Sequence, residues 1–351
     1  MWVLETHINE IERISKNNTQ VGLYLLKGTK NRHELLPSPE MHSIVKIESS
    51  LLKGARKYFE EHGFIEVVVP HLTKATGACE NVTTMFELDY FGQKGYLSQT
   101  AQLYLEVLMP FLGKVWCIGP SFRGEPCADE RHLSEFTLIE LEFAGNFKEL
   151  LEHIEGTISS MINYVLNERE KELQLLNVNM ERLRKIRRPF EKITYTEAVG
   201  LLAEYGVKWG DDLKSHHEKT LVQIHGNVPL FVTHFPKDIK FFNMRENDEN
   251  PAIVNSADLL LPMSGEAVGS AEREYRYDKL HQRLINSTMF KQLVEKGGSI
   301  DEFKWYLEFY RRQGILHSGC GIGLNRVTQF ALGIDDIRAT TAFPLNKESI
   351  L

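Results

Sequence analysis

The chain has 351 residues, 42% of them hydrophobic and 25% charged, with a formal net charge of −7. This is ordinary globular composition, long enough for a substantial core, and it excludes a molecule-wide basic field for nucleic acid, although a local patch can bind RNA on an acidic protein. No apolar run approaches the ~18 residues of a membrane span, residues 2–14 do not read as a secretory leader, and Cys79, Cys117, Cys127 and Cys320 show no CxxC pair or metal-ligand spacing, which predicts a reduced, cytoplasmic protein.

Residues 1–40 are polar, with a short helical pattern at Ile8, Ile11 and Ile14, and predict an arm, not a domain. From Ile44 a helix is predicted, because Ile47, Leu51, Leu52, Ala55, Tyr58 and Phe59 recur at helical spacing. Gly63 stops it, and residues 64–69 read as a strand ending at Pro70. Residues 86–91 and 96–98 predict a hairpin around a turn at Gly92–Gly95. Strands follow at 115–118 and 136–143, joined by a polar loop, and an amphipathic helix at 150–166. The five basic residues between Arg182 and Arg188 predict a solvated helix face. Further strands are expected at 230–234, 256–261 and 266–269, helices over roughly 275–313, and a last helix at 323–332. Hairpins and antiparallel runs interrupted by helices predict an α/β (α+β) fold with a mostly antiparallel sheet.

The strand at 136–143 carries the most chemistry. Alternation places Thr137, Ile139, Leu141 and Phe143 on one face, and Phe136, Leu138, Glu140 and Glu142 on the other. Those acids could simply face water, but Arg123, Arg131 and His132 lie just upstream. Arginine forks grip phosphate or carboxylate oxygens, and a carboxylate holds an ammonium group. Asp258 and Glu266 on adjacent strands suit Mg²⁺, which takes one or two carboxylates plus phosphate oxygens and water. The glycines of Gly319-Cys320-Gly321-Ile322-Gly323 read either as a phosphate cradle at a helix start or as a tight strand-to-helix turn. Arg326, inside an otherwise apolar helix, needs an anionic partner.

Three ordered segments resemble the class II aminoacyl-tRNA synthetases. Phe64-Ile65-Glu66-Val67 through Pro70 resembles motif 1, which lies at that family's dimer interface. Phe122-Arg123-Gly124-Glu125 with Arg131-His132-Leu133-Ser134-Glu135-Phe136 resembles motif 2, and Gly321-Ile322-Gly323-Leu324-Asn325-Arg326 resembles motif 3. Leu88-Asp89-Tyr90-Phe91-Gly92, Gln102-Leu103-Tyr104-Leu105-Glu106, Gly210-Asp211-Asp212-Leu213 and Asp258-Leu259-Leu260 bring the likeness closest to asparaginyl-, then aspartyl-tRNA synthetases. It covers about residues 41–346, so residues 41–351 are expected to form the catalytic domain.

The resemblance implies roles. Arg123 and Arg326 would be catalytic, and Arg123, Glu125, Arg131, His132, Phe136, Glu266 and Arg326 would bind ATP, with Phe136 stacking on adenine. Asp258 and Glu266 would hold Mg²⁺. Glu80, Gln102, Glu106, Glu140 and Arg273 would surround the amino acid, with Arg273 at its side-chain end. Leu105 followed by Glu106 stands where aspartyl enzymes resemble a lysine that pairs with the substrate carboxylate. Glu106 could accept a carboxamide NH₂, or merely face solvent on its helix.

Departures gather around the amino-acid pocket: Asn81-Val82 for Gly-Gly, Ser270-Ala271 for Gly-Ser, Asn243 for tyrosine, and Asn325 for an acid in motif 3. Only about 40 residues precede the motif 1 helix, so the family's anticodon-binding OB-fold, about 100 residues long, is expected to be missing. The expectation is therefore an ATP-dependent, asparagine-synthetase-like ligase, homodimeric through motif 1. It would activate aspartate, asparagine or a close analogue and pass it to ammonia or a small amine. A compact asparaginyl-tRNA synthetase, with tRNA as partner, is the first alternative. An inactive module binding ATP or amino acid is the second.

Overall fold

The computed structural model describes residues 32–74 and 82–348. The arm pattern at Ile8, Ile11 and Ile14, together with Cys79, Glu80 and Asn81, lies outside them. Helix α1 (Pro39–Glu61) starts before its apolar periodicity does. Ser38 Oγ accepts the Met41 N–H at 3.2 Å, and Pro39 sits in the first turn, where its missing N–H costs nothing. A boundary at residue 40 therefore falls inside a helix. Upstream of it, the fully buried Arg32 donates to the carbonyls of Arg338, Thr341 and Ala342, at 3.1, 2.7 and 3.2 Å. The end of the expected arm is thus stapled to the C-terminal segment.

Strand β1 (Ile65–Glu66) is shorter than the sequence suggests. Val67 N–H still reaches the Trp116 carbonyl at 2.9 Å, but Val68 is 97% exposed and Pro70 has no N–H to pair. Strand β2 (Leu72–Thr73) joins the hairpin of β3 (Glu87–Tyr90) and β4 (Gln93–Leu97) in a three-stranded sheet. The hairpin turns at Phe91 and Gly92, with φ of 51° and 78°, whereas Gly95 lies inside β4 opposite Leu88.

The large sheet is built from β1, β5 (Lys114–Phe122), β6 (Glu135–Phe143), β7 (Glu191–Thr194), β8 (Leu230–Thr233), β9 (Ser256–Leu261), β10 (Gly265–Glu272) and β11 (Ser318–Gly323). Its order is β1-β5-β6-β11-β10-β9-β8-β7, parallel only at the two outer pairs. The expected mostly antiparallel α/β architecture is what forms. The glycine-rich run forms strand β11, not a tight turn, and its Gly321 and Gly323 line a cavity. It pairs with β6 and β10 at the centre of the sheet before leading into a helix.

The remaining helices are α2 (Gln102–Leu112), α3 (Phe147–Glu168), α4 (Glu170–Leu175), α5 (Met180–Arg184), α6 (Tyr195–Leu201), α7 (Ser215–Ile224), α8 (Tyr277–Asn286), α9 (Thr288–Glu295), α10 (Lys304–Gln313) and α11 (Leu324–Leu332). Helices α1, α3 and α11 cover one sheet face. Ile44, Ile47, Leu51, Ile154, Ile158, Val327 and Phe330 pack there on Ile139, Leu141 and Phe143. The alternation read from β6 holds: its carboxylates point to the other face. The basic run at 182–188 is mostly exposed, except that Arg182 lies over the Phe330 ring and donates to the Phe330 carbonyl at 2.5 Å, closing the end of α11.

Helices α1 and α3 meet at Gly54, where an added Cβ would lie 2.6 Å from Met161 Cα. Backbone, unlike a side-chain tip, cannot swing aside. Gly54→Ala is therefore expected to destabilise the fold by about 1–3 kcal/mol, as overpacking does, read as a lowered thermal midpoint.

Candidate active site

The carboxylate-bearing face of β6 forms the floor of a cavity of about 380 Å³. Around it stand Gln102 from α2, the β5–β6 loop residues Arg123, Glu125, Arg131 and His132, Glu266 on β10, Arg273 just beyond β10, and Arg326 on α11, with Phe136, Glu140 and Glu142 beneath. Nearly all residues singled out in the sequence converge on this one space. Glu106 and Asp258 are not in its lining, and Glu80 lies outside the described residues.

One end of the cavity is rich in guanidinium groups. Arg123 holds its Cζ 5.3 Å from the centre of the Phe136 ring, and its buried Nε has no hydrogen-bond partner among the described residues. Arg131 pairs with Glu218 at 2.9 Å and donates to Ser215. Arg326 donates to the carbonyls of Ser264 and, at 2.9 Å, of Arg131. Burial and the neighbouring Arg131 charge pull its pKa down to about 10, against Glu218 and Glu266. It stays charged at neutral pH, among carbonyls rather than bonded to a carboxylate. Such a cluster is stabilised by a polyanion, and an orphaned Arg123 Nε over an aromatic ring fits a nucleoside phosphate.

The fit to magnesium is less direct. Glu266 lines this cavity and also an adjoining one of about 720 Å³ that contains Asp258. The carboxylates come from paired strands, where Asp258 opposes Gly269 and Glu266 opposes Leu260, and oxygen donors suit the ion. Asp258, however, already holds a cation: Lys240 Nζ lies 2.6 Å from its Oδ2. Lys240 was not anticipated from the sequence.

The other end of the cavity is carboxylate-rich and closely paired. Glu140 accepts the Ala101 N–H at 2.8 Å and the Thr100 hydroxyl, while burial pushes its carboxyl upward. Glu142 receives the Arg273 guanidinium at 2.6 Å from Nη2 and 3.1 Å from Nε, both side chains being buried. Glycine on β11 makes this geometry possible, because a Cβ at Gly319 would collide with the Glu142 carboxylate. Alternation puts Glu142 on the cavity face; its pairing with Arg273 spans 131 residues of sequence.

Glu106 lies behind Gln102, not beside the cavity, and not at the helix surface. Its carboxylate accepts from Gln102 Nε2 at 2.7 Å, Asn243 Nδ2 at 2.8 Å, and the hydroxyls of Tyr306 and Tyr310 at 2.6 and 2.5 Å. Burial alone would raise its pKa. His317, Arg273 and Tyr306 outweigh burial and hold the carboxyl below its ordinary range. With four donors already in place, Glu106 orients Gln102 and leaves no acceptor for a carboxamide. Asn325 is explained similarly: its Oδ1 accepts the Thr137 N–H at 3.3 Å and its Nδ2 donates to Thr340 at 3.0 Å, a donor role no carboxylate could fill.

The model of the class II tRNA synthetase family (D, K and N) matches residues 27–347. The asparagine–tRNA ligase of Pelotomaculum thermopropionicum is 40% identical over 319 residues, which are 90% of this chain and 71% of that protein. That of Thermococcus gammatolerans is 38% identical over 317 residues, with 89% and 71% covered. The solved asparaginyl-tRNA synthetase from Pyrococcus horikoshii complexed with asparaginyl-adenylate superposes with a TM-score of 0.83 at 36% identity, covering 91% of this chain and 72% of its own. Among the described residues no helix is long and apolar enough to cross a membrane. The chain belongs to the class II tRNA synthetases of the aspartate, lysine and asparagine group, close to the asparaginyl enzymes, and is an ATP-dependent, amino-acid-adenylating ligase.

Proposed function

We propose that the protein activates asparagine as asparaginyl-adenylate and transfers it to a tRNA. The Glu142–Arg273 pair carries the amino-acid assignment. A carboxamide offers an oxygen to Arg273 and an NH₂ to Glu142, whereas the β-carboxylate of aspartate would set a negative charge against Glu142, with Glu106 behind it. Aspartate is thereby disfavoured within the broader substrate range read from the sequence. Glu140 and Gln102 lie where they can receive the substrate ammonium. Glu80 stays a proposal without geometry.

In the reaction the asparagine α-carboxylate attacks the α-phosphorus of ATP in line, a C–O–P bond forms, and pyrophosphate leaves. Arg123 is placed to neutralise charge on the reacting phosphate, Phe136 to stack on the adenine, and Arg131, His132 and Arg326 to hold the outer phosphates. Glu125 borders the same end. Such a step depends on positioning and charge neutralisation more than on a general base. Bound Mg²⁺ would neutralise phosphate charge and template the leaving group; Glu266 and Asp258 would hold it once Lys240 yields Asp258.

For the acceptor, the relatives support tRNA over the ammonia or small amine expected from the sequence. They are asparagine–tRNA ligases, and the chain spans 71% of their length. A dimer through the motif 1 region is part of the same reading. β1 is an edge strand of the large sheet, and Val68 beside it is almost wholly exposed.

ATP–pyrophosphate exchange with asparagine and aspartate separately tests the first half. Asparagine should win by on the order of 10²–10⁴ in kcat/KM, and Glu142→Gln should narrow that ratio. Exchange with neither amino acid would sink the assignment. Labelled asparagine should then become acid-stable on tRNA; AMP release driven by ammonia, with no tRNA charging, would return the acceptor to a small amine. Arg123→Ala should cost on the order of 10²–10³ in kcat. Its thermal midpoint should stay near wild type, since its Nε has no hydrogen-bond partner among the described residues. Sedimentation should give twice the chain mass, and a monomer at micromolar concentration would refute the motif 1 interface.

A further inference from the structure

The loop joining β5 to β6 holds a cluster of which the adenylation reading uses only His132. Cys127, Asp129 and His132 bring a thiol, a carboxylate oxygen and a ring nitrogen within 4.8 Å of one another. The loop is already shaped around Asp129: its Oδ1 accepts the backbone N–H of Arg131 at 2.9 Å and of His132 at 3.0 Å, and lies 2.7 Å from His132 Nδ1. We propose that Cys127, Asp129 and His132 bind a thiophilic divalent ion, zinc by chemical class, at the edge of the ATP cavity, and that its charge favours ATP binding there.

Donor chemistry selects the ion. Magnesium takes oxygen donors, so a sulfur and an imidazole exclude it as the natural occupant. A thiolate, an imidazole and a carboxylate are the mixed set that zinc accepts. Three protein ligands with a fourth position open to water is a recurrent zinc arrangement. Ligand atoms around tetrahedral zinc lie roughly 3.3–3.6 Å apart, given bonds of about 2.0–2.3 Å. The Asp129–His132 contact, at 2.7 Å, would therefore have to open slightly. All three donors come from a six-residue stretch, so little chain entropy opposes closure.

With His132 neutral, binding would release one proton to solvent, from the Cys127 thiol, while the ring proton of His132 moves to the nitrogen the ion does not take. The loop's charge then changes from −1 (the Asp129 carboxylate) to zero, because a dication meets a thiolate and a carboxylate. His132 lines the ATP cavity, so this removes a repulsive carboxylate charge beside the outer phosphates. Cys117 and Cys320 do not compete: both are buried, and burial pushes their thiols upward.

Cobalt titrated into the full chain gives the test, because a thiolate-to-cobalt charge-transfer band reports the sulfur bond directly. The expected result is one equivalent of Co²⁺ with that band, displaced by Zn²⁺, lost in Cys127→Ser and weakened about 10–100-fold in Asp129→Asn. With free Zn²⁺ buffered, the KM for ATP in pyrophosphate exchange should fall in the wild type and not in Cys127→Ser, whose metal-free activity stays at the wild-type level. No band, a band retained by Cys127→Ser, or an unchanged KM with the ion bound overturns the proposal. The KM arm rests on the adenylation reading, but the band is read without substrate. A missing band with active exchange therefore condemns the metal site alone, and a band without exchange condemns the functional reading.

Discussion

Glu142 and Arg273 meet at 2.6 Å in the interior, and the sheet is arranged around that contact. Taking two charges out of water costs several kcal/mol per ion, and only close, well-bonded pairing offsets it. The pairing here has steric conditions. Strand β11 runs between β6, which carries Glu142, and β10, which leads into Arg273, so any side chain at Gly319 would fill the space of the carboxylate. The glycine-rich strand is therefore a consequence of buried charge beside it. Its lack of side chains leaves room for the groups that read the substrate.

Much of this was visible in the sequence, and the exceptions have physical causes. The face of β6 was legible because period-two alternation is local: Ile139 and Leu141 went to the core, Glu140 and Glu142 to the cavity. Helix α1 was legible for the same reason at helical period. Strand β11 was not, because glycine carries no hydropathy pattern and the neighbours that explain it lie far off in sequence. Glu106 shows a second kind of limit. Helical spacing puts Gln102 and Glu106 on one face of α2, but not at which depth. The tyrosines that saturate Glu106 come from α10, two hundred residues later. Asp258 was found by its type and its strand, while its Lys240 partner was hidden in an irregular segment.

The two ends of the cavity differ in how completely their polar groups are satisfied. At the amino-acid end, Glu140, Glu142 and Arg273, and Glu106 behind Gln102, are all partnered within the protein, so the substrate meets a surface whose orientation is fixed beforehand. At the phosphate end, Arg123 keeps an orphaned Nε, and Arg326 carries a charge that burial disfavours. Binding energy and selectivity are thereby separated. The phosphate end is destabilised until an anion arrives, which draws ATP in; the amino-acid end is rigid, which suits discrimination between groups of nearly equal shape.

That separation bears on the pocket substitutions seen in the sequence. Judged by residue type alone, Asn243 and Asn325 are departures from the family pattern. In the fold Asn243 donates into Glu106, and Asn325, which lines the cavity, bridges Thr137 and Thr340. Both serve the layer that holds the contacting residues in place, where a neutral amide can supply a donor and an acceptor at once. Among the described residues the buried Asn243 Oδ1 has no hydrogen-bond partner, so there this layer is complete around Glu106 but not around Asn243. An altered residue in that position changes how firmly Gln102 is held before it changes which amino acid is chosen. The departures from the family pattern are thus compatible with an intact asparagine pocket, because the side-chain end is defined by Glu142 and Arg273, and those two are fully paired.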